Sequence, residues 1–260
     1  MNSLRPRVIP CLQVARGELI KTRKFKDPKY LGDPINAVKI FNDLECDELI
    51  VVDIKATVDG REPDFTFIEE FASEAFMPLT FGGGICSVEQ IRRLFSVGVE
   101  KVVINSAAQD GQLVSEAAKV FGSQSVVVSM DVRKTVFGRY EIWTHSATRN
   151  TRQDPMSYAA RMQSCGAGEV FVQSIDNEGA RSGYDISLMK QICKAVSIPV
   201  IGCGGAGSLD DIRELLRVTG ASGAAAGTLF TLHGKHRAPL ISYPGPQEIA
   251  SLATFSQGLA

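Results

Sequence analysis

The feature of this sequence that most constrains its fold is an internal repeat of a glycine-rich segment. Residues 83–92 (GGICSVEQIR) match residues 204–213 (GGAGSLDDIR) at an offset of 121 residues. The same offset places residues 48–51 on residues 169–172. Each half of the chain therefore carries a similar series of structural units, and we predict a fold made of two duplicated halves.

Short apolar runs alternate with longer amphipathic segments along the chain, and these runs are the candidate strands. The run Val126-Val127-Val128 has no polar interruption, which is typical of parallel strands that are buried on both faces. We predict eight strands, at 7–14, 48–54, 79–81, 101–104, 125–132, 169–175, 200–202 and 223–227.

Three of the segments between these strands carry the signals that begin a helix. The helix predicted over 35–44 follows an aspartate and a proline, a favoured helix start. Those predicted over 87–96 and 208–217 each open with a serine that is followed three residues later by a polar acceptor, the pattern of a capping box. Eight strands that each precede a helix predict an α/β fold, a single (β/α)8 TIM barrel domain over 1–260 built from two duplicated half-barrels.

Charge and cysteine content exclude several classes of function. The net charge is −1, from 28 Lys and Arg against 29 Asp and Glu, which disfavours nucleic-acid binding. The chain lacks a run of about 18 apolar residues and its first residues do not form a signal peptide, so we expect a cytoplasmic protein with no membrane association. No C-x-x-C pair accompanies the three histidines, and we expect neither a metal nor a cofactor.

Two glycine-rich turns are candidate phosphate-binding sites. They follow the third and seventh predicted strands, at 82–84 and 204–205, and the carboxyl ends of barrel strands carry the site. Glycine lets backbone N–H groups approach a phosphate, and the helix after each turn adds its positive end. Tight turns without a ligand are the alternative, but the repeat favours a ligand with a phosphate at each end. The predicted phosphate-binding residues are Gly84, Asn105, Ser106, Gly205, Gly227 and Thr228.

Asp131 is the candidate catalytic carboxylate. It follows the buried run of the fifth strand, a position that favours a functional acid or base. The alternative is a structural ion pair with Arg133 or Lys21. At an offset of 118 residues the counterpart of Asp131 is Gln13, whose carboxamide cannot exchange a proton near neutral pH. The symmetric acid/base pair that a duplication suggests is therefore broken.

Four charged residues begin predicted strands at the opposite end of the barrel, where apolar residues would be expected. Two cations and two acids at one depth predict a closed ring that could gate the barrel floor, and ordinary surface ion pairs are the alternative. These residues are Arg7, Glu48, Lys101 and Glu169.

The stretch 21–29 has five cations and one acid. We interpret it either as a solvated loop or as a mobile loop that covers a phosphorylated ligand.

Several motifs together resemble one known family, the cyclase subunit of imidazole glycerol phosphate synthase, over residues 5–232. The motifs are IPCL at 9–12, GDP at 32–34, DEL at 47–49, FGGGI at 81–85, KVVIN at 101–105, FGSQ at 121–124, GAGE at 166–169, SGYD at 182–185 and GGAG at 204–207. The resemblance implies a barrel that receives ammonia at its floor from a class I glutaminase subunit. Ammonia then crosses the core and attacks a substrate with two phosphates, a ribulosyl-formimino aminoimidazole carboxamide nucleotide.

The resemblance also implies roles for individual residues. Asp131 matches the family's catalytic aspartate, Gln13 stands where the family has a second one, and Lys21 matches a lysine that contacts the ligand. The residues named above for the two phosphates and for the gate all match the family pattern.

Some positions depart from that pattern and resemble a branch of the family that occurs with surface-polysaccharide genes. These are Gln13, Gln173, Cys203, the segments 177–179 and 24–30, and an atypical C-terminal segment from about residue 231. The branch implies a separate sugar amidotransferase that uses the ammonia to make an acetamidino group. We therefore expect a specialised paralogue, and the alternative is an authentic cyclase of histidine biosynthesis.

Overall fold

The computed structural model describes residues 6–253. Over that range the strands are β1 (Arg7–Ala15), β2 (Glu18–Arg23), β3 (Lys26–Gly32), β4 (Leu49–Asp53), β5 (Leu79–Gly82), β6 (Lys101–Ile104), β7 (Val126–Lys134), β8 (Tyr140–Thr144), β9 (Arg149–Asn150), β10 (Glu169–Ser174), β11 (Val200–Cys203), β12 (Gly223–Ala226), β13 (Leu232–His233) and β14 (Ala238–Pro239). The helices are α1 (Pro34–Asp43), α2 (Phe65–Ala72), α3 (Val88–Ser96), α4 (Gln112–Phe121), α5 (Pro155–Ser164), α6 (Ile186–Ala195), α7 (Leu209–Thr219), α8 (Thr228–Thr231) and α9 (Pro246–Ala253).

Eight of these strands form a closed parallel barrel. Their order around it is β1, β4, β5, β6, β7, β10, β11, β12, and the pairings of β12 with β1 and of β7 with β10 complete the circle. A helix follows each barrel strand, so the predicted (β/α)8 barrel is confirmed. The eight predicted strands are all present, with ends that differ by at most two residues. The duplication of the half-barrels stays a prediction from the sequence repeat.

The three predicted helices are also confirmed, and their first turns show why they begin where they do. The Asp33 carboxylate accepts a hydrogen bond from the Ile35 N–H before α1. Before α7, Ser208 and Asp211 form both bonds of a capping box. Before α3, the Gln90 side chain accepts from the Cys86 N–H, one residue earlier than a capping box requires.

Alternation along the strands divides the apolar residues between two cores. On β1, Val8, Leu12 and Val14 pack against the surrounding helices, whereas Ile9 and Cys11 face the barrel interior. The interior cluster is Ile9, Cys11, Ile50, Val103, Val127, Phe171, Ile201, Cys203 and Ala225. This cluster lies between the charged residues at the amino ends of the barrel strands, which form the floor, and polar residues at their carboxyl ends, which form the mouth. The same alternation along β1 places Arg7 at the floor and Gln13 at the mouth.

The basic stretch 21–29 is not the loop that the sequence predicted. Most of it belongs to the antiparallel hairpin β2–β3, which pairs with β1 through Gln13 and Ile20. The charged residues of its tip are exposed, but Lys21 is buried. A second hairpin, β7–β8, was also missed by the sequence interpretation. Both hairpins pair with the carboxyl end of a barrel strand, β2–β3 with β1 and β8 with β7, at the mouth of the barrel.

The segment after Phe230, which the sequence marks as atypical, continues the chain beyond α8 with the short β13–β14 hairpin and a further helix, α9. The Tyr243 hydroxyl donates to the Val8 carbonyl oxygen at 2.8 Å, and Ile249 and Leu252 are buried. The segment is thereby packed onto the outside of the barrel. None of the helices described above is long and apolar enough to span a lipid bilayer.

Candidate active site

A cavity of about 200 Å³ lies at the carboxyl ends of the barrel strands. Four of the predicted site residues line it, namely Gln13, Asn105, Ser106 and Asp131. The hairpin β2–β3 adds Phe25 and Pro28, and the turn after β8 adds Ser146 and Thr148. Phe25 and Pro28 belong to the basic stretch that the sequence offered as a possible cover for a ligand, whereas nothing in the sequence pointed to Ser146 and Thr148, which follow a hairpin that it did not predict.

Asp131 lies on β7 with its carboxyl group buried in this cavity. Burial raises its pKa to about 7, and a hydrogen bond with the Asn105 side chain opposes that shift. The ion pair considered as an alternative from sequence does not form, because Arg133 pairs with Asp176 (Nε–Oδ1 3.8 Å) and Lys21 pairs with Glu178. A buried carboxyl group that titrates near neutral pH can act as an acid or as a base.

Gln13 lies on the opposite side of the cavity, and both the oxygen and the nitrogen of its amide group are bonded to protein atoms. Its Oε1 accepts from the Thr22 N–H at 2.9 Å and from the Thr22 hydroxyl at 3.0 Å. Its Nε2 donates to Glu178 Oε1 at 3.0 Å. The side chain is therefore fixed in orientation, and it has no proton to exchange near neutral pH.

Lys21 does not line the cavity. Its ammonium pairs with the buried Glu178 carboxylate. A Cβ at Gly227 would lie 3.0 Å from Lys21 Nζ, so the cation sits directly against the turn of the second predicted phosphate site. Burial lowers the pKa of Lys21, and the neighbouring thiol groups of Cys203 and Cys11 oppose that shift. Sequence reasoning assigned no role to Glu178, because its partners are distant in the chain.

The first predicted phosphate site lies at the cavity wall. Gly84 has a φ of +74°, and a Cβ there would lie 2.8 Å from the Arg61 carbonyl oxygen, so only glycine fits. Its N–H donates to the Thr57 hydroxyl at 3.2 Å. Asn105 and Ser106 face the cavity, and the Ser106 hydroxyl accepts from the His145 N–H at 3.2 Å.

The second predicted phosphate site lies outside the cavity. Gly205 has a φ of +108°, and a Cβ there would lie 2.0 Å from the Gly183 carbonyl oxygen. The Thr228 hydroxyl is buried and has no hydrogen-bond partner among the residues that the structure describes. Buried hydroxyl groups are rarely left unpaired, so an acceptor or donor supplied by a ligand would complete this site.

The four charged residues at the floor are brought together as the sequence predicted. Arg7 forms a bidentate pair with Glu48 (Nε–Oε1 2.6 Å, Nη2–Oε2 2.7 Å) and a further pair with Glu169, and Lys101 Nζ lies 3.3 Å from Glu169 Oε2. In the described part of the chain Lys101 and Glu48 form no ion pair, so the network is an open chain of three pairs and not a closed ring. The Glu48 carboxylate raises the pKa of Arg7.

A depression of about 480 Å³ surrounds this network on the floor. Arg7, Lys101 and Glu169 line it, together with residues of the neighbouring strand starts. The two ends of the barrel interior thus carry distinct polar sites with the apolar interior cluster between them.

These features define the class of the protein, a (β/α)8 barrel with a polar site at the carboxyl ends of its strands. The model of the family described as "Histidine biosynthesis protein" matches residues 7–237. The chain belongs to this family.

Three curated relatives are similar over nearly their whole length, and each of the three is provisionally named an imidazole glycerol phosphate synthase subunit. The hisF2 protein of Pseudomonas aeruginosa is 49% identical over 93% of this chain and 96% of its own. The hisF3 protein of Vibrio vulnificus is 45% identical over 94% of this chain and 95% of its own length. The HisF protein of Leptospira interrogans is 43% identical over 96% of this chain and 99% of its own length.

Proposed function

We propose that this protein is a cyclase-type lyase subunit that uses ammonia from a glutaminase partner to convert a substrate with two phosphates. The observation that carries the proposal is the isolated Asp131 carboxyl group, buried in the cavity at the mouth with a pKa of about 7. The names of the relatives support imidazole glycerol phosphate synthase chemistry, and the description of the family supports a place in histidine biosynthesis.

Each part of the site has a task in this proposal. The backbone turns at Gly84 and Gly205, with the side chains that follow the neighbouring strands, hold the two phosphates at opposite sides of the mouth. Asp131 moves the proton at the reacting centre between them. Gln13 orients the substrate by hydrogen bonding, and Lys21 supplies positive charge at the second phosphate.

The floor is the proposed docking surface for the glutaminase, a class I glutamine amidotransferase. The depression around Arg7, Lys101 and Glu169 is polar and concave, and its ion pairs close the entrance to the barrel interior. The apolar interior cluster favours passage of neutral ammonia over ammonium, because an unpaired charge is costly to bury. We propose that displacement of the Lys101–Glu169 pair opens this path.

The direct test is turnover of the ribulosyl nucleotide with ammonium salts as the nitrogen source. We expect the wild-type protein to form imidazole glycerol phosphate and Asp131→Asn to lose that activity. A wild-type protein that binds the nucleotide without turning it over would contradict the cyclase proposal.

A second candidate function is a specialised paralogue that supplies ammonia to a sugar amidotransferase for acetamidino modification of a surface polysaccharide. Gln13 favours it, because the carboxylate expected on β1 is absent while the floor network is retained. Complementation of a histidine auxotroph that lacks its own cyclase separates the two. Growth of the auxotroph supports the histidine pathway. Failure of the auxotroph to grow, with a protein that still couples to a glutaminase, supports the paralogue.

A further inference from the structure

Two polar side chains in the mouth cavity have no task in the function proposed above. Gln173 lies on β10 and Ser129 lies on β7, and each is 6% exposed and lines the cavity. Within the part of the chain that the structure describes, no hydrogen bond to protein is made by the Gln173 amide or by the Ser129 hydroxyl. Buried polar groups are rarely left unpaired. Both groups are therefore open to a ligand in the cavity.

The strand register places these two groups at the inner end of the cavity. Ser129 comes two residues after Val127 on β7, and Gln173 comes two residues after Phe171 on β10. Val127 and Phe171 belong to the apolar interior cluster, and side chains two residues apart on a strand share a face. Gln173 is also the register partner of Asp131. On these two strands they are the first polar groups that a molecule meets when it leaves the interior cluster for the mouth.

From this placement we propose that Gln173 and Ser129 bind ammonia beside Asp131, at the point where the barrel interior opens into the cavity. The inference rests on the function proposed above and names the place where its nucleophile is held. Ammonia has three N–H donors and one lone pair. The amide oxygen of Gln173 and the hydroxyl oxygen of Ser129 can each accept one N–H. Because both acceptors lie on the interior side, the lone pair is left to face a substrate that enters from the mouth.

The charge of the surroundings favours ammonia over a phosphate at this place. Gln173 and Ser129 are both neutral, and the Asp131 carboxylate next to them repels an anion when it is ionised. The proposed phosphate-binding residues lie in turns that follow strands, whereas Ser129 and Gln173 lie within β7 and β10. A small neutral ligand that arrives through the apolar interior fits both observations.

The dependence of turnover on ammonia tests the proposal. Gln173→Leu and Ser129→Ala each remove one acceptor with little change in shape. With the ribulosyl nucleotide saturating, we expect each variant to raise the KM for ammonia by about tenfold, the value of one lost hydrogen bond, and to change the KM for the nucleotide by less than about twofold. A rise confined to the KM for the nucleotide would assign these groups to the substrate. An unchanged KM for ammonia would likewise overturn the proposal.

Nuclear magnetic resonance tests the same site without turnover, so it stands even if the cyclase proposal is wrong. The side-chain amide resonances of Gln173, assigned by their loss in Gln173→Leu, are followed during titration of the wild-type protein with ammonium chloride at about pH 8.5. Potassium chloride, whose cation has the same charge as ammonium and a similar size, is the control. We expect a saturable shift with the ammonium salt alone. Equal shifts in both salts, or no shift, would overturn the inference.

The two experiments together separate the inference from the function on which it rests. A saturable shift in a wild-type protein that does not turn over the nucleotide would reject the cyclase function and keep the ammonia site. Turnover with an unchanged KM for ammonia in both variants would keep the cyclase function and reject the site.

Urea unfolding separates binding from folding. Because the Gln173 amide forms no hydrogen bond in the described part of the chain, we expect Gln173→Leu to keep or raise the unfolding midpoint. Ser174→Ala removes the hydroxyl of the next residue on β10, which is not among the residues that line the cavity, and we expect it to leave the KM for ammonia unchanged. A lowered midpoint in Gln173→Leu, or a raised KM for ammonia in Ser174→Ala, would show a structural role and would overturn the proposal.

Discussion

The two sides of the mouth differ in how their polar groups are paired. On the β7 side, Asp131 has a hydrogen bond with Asn105 and no ion pair in the described part of the chain, and it faces the cavity. On the β1 side, Gln13 and Lys21 are both bonded to Glu178. Both sides are buried, but Asp131 can exchange a proton near neutral pH, whereas Gln13 has none to exchange. Pairing, more than burial, therefore decides which polar group of this site can react.

The largest effect that would test this difference is expected at Asp131. Asp131→Asn keeps the shape and removes the titratable group, so we expect ammonia-dependent turnover to fall by about 10²–10⁴-fold. The measurement is steady-state turnover of the ribulosyl nucleotide with ammonium salts. Asp176→Asn, which removes a carboxylate outside the cavity, is the matched control. A fall of less than tenfold would mean that the proton is moved by another group.

The β1 side should limit the rate of the wild-type protein. Gln13 cannot transfer a proton, so we expect cyclase turnover roughly 10²-fold below that of a relative with aspartates at both positions. Gln13→Asp alone should not restore that rate, because Gln173 and Cys203 also depart from the family pattern at this end of the barrel. The assay is the same, with wild type and variant compared side by side. A wild-type rate equal to that of the two-aspartate relative would contradict the comparison and favour the ordinary histidine-pathway role.

The raised pKa of Asp131 also predicts a dependence of stability on pH. Because the folded-state pKa of about 7 lies above the unfolded value of about 3.9, folding stability is lost as pH rises from 4 to 7 and is constant above that range. Asp131→Asn should therefore raise the free energy of unfolding by roughly 2–4 kcal/mol at pH 8 and change it little at pH 4. Urea unfolding at the two pH values measures this, and an equal change at both would contradict it.

The smallest effect is expected at the floor, far from both sides of the mouth. Lys101→Ala removes a partly exposed lysine and leaves the buried Glu169 paired with Arg7, so the free energy of unfolding should change by about 1 kcal/mol or less. We expect turnover with ammonium salts to be retained, while turnover with glutamine and the glutaminase partner loses its coupling. Arg92→Ala, which removes an exposed pair with Glu89, is the control. Unchanged coupling in Lys101→Ala would make the floor network a structural feature only.

Much of the barrel could be predicted because its signals are local. Uninterrupted apolar runs such as 126–128 and the caps at Asp33 and Ser208 fix strands and helices within a few residues of sequence. Hairpin β2–β3 could not be predicted in this way, because its exposed, lysine-rich residues lack the apolar alternation of a strand.

Residues that lie at the carboxyl end of a barrel strand could be placed at the candidate site from the sequence. Asp131 and Asn105 reach the cavity directly from β7 and β6. Lys21 was assigned to the ligand, but its position depends on Glu178, 157 residues further along the chain. No local sequence pattern indicates a partner at that distance. The bonds of Gln13 and Lys21 to Glu178 are therefore visible only in the folded structure.

The most direct test of the account is the titration of the Asp131 carboxyl group itself. Carbon-13 NMR of the protein with labelled aspartate, assigned by the loss of one resonance in Asp131→Asn, follows that group from pH 4 to pH 9. The account predicts a midpoint near pH 7. A midpoint below about pH 4.5, in the ordinary range of an aspartate, would contradict the claim that burial without an ion pair tunes this group for proton transfer.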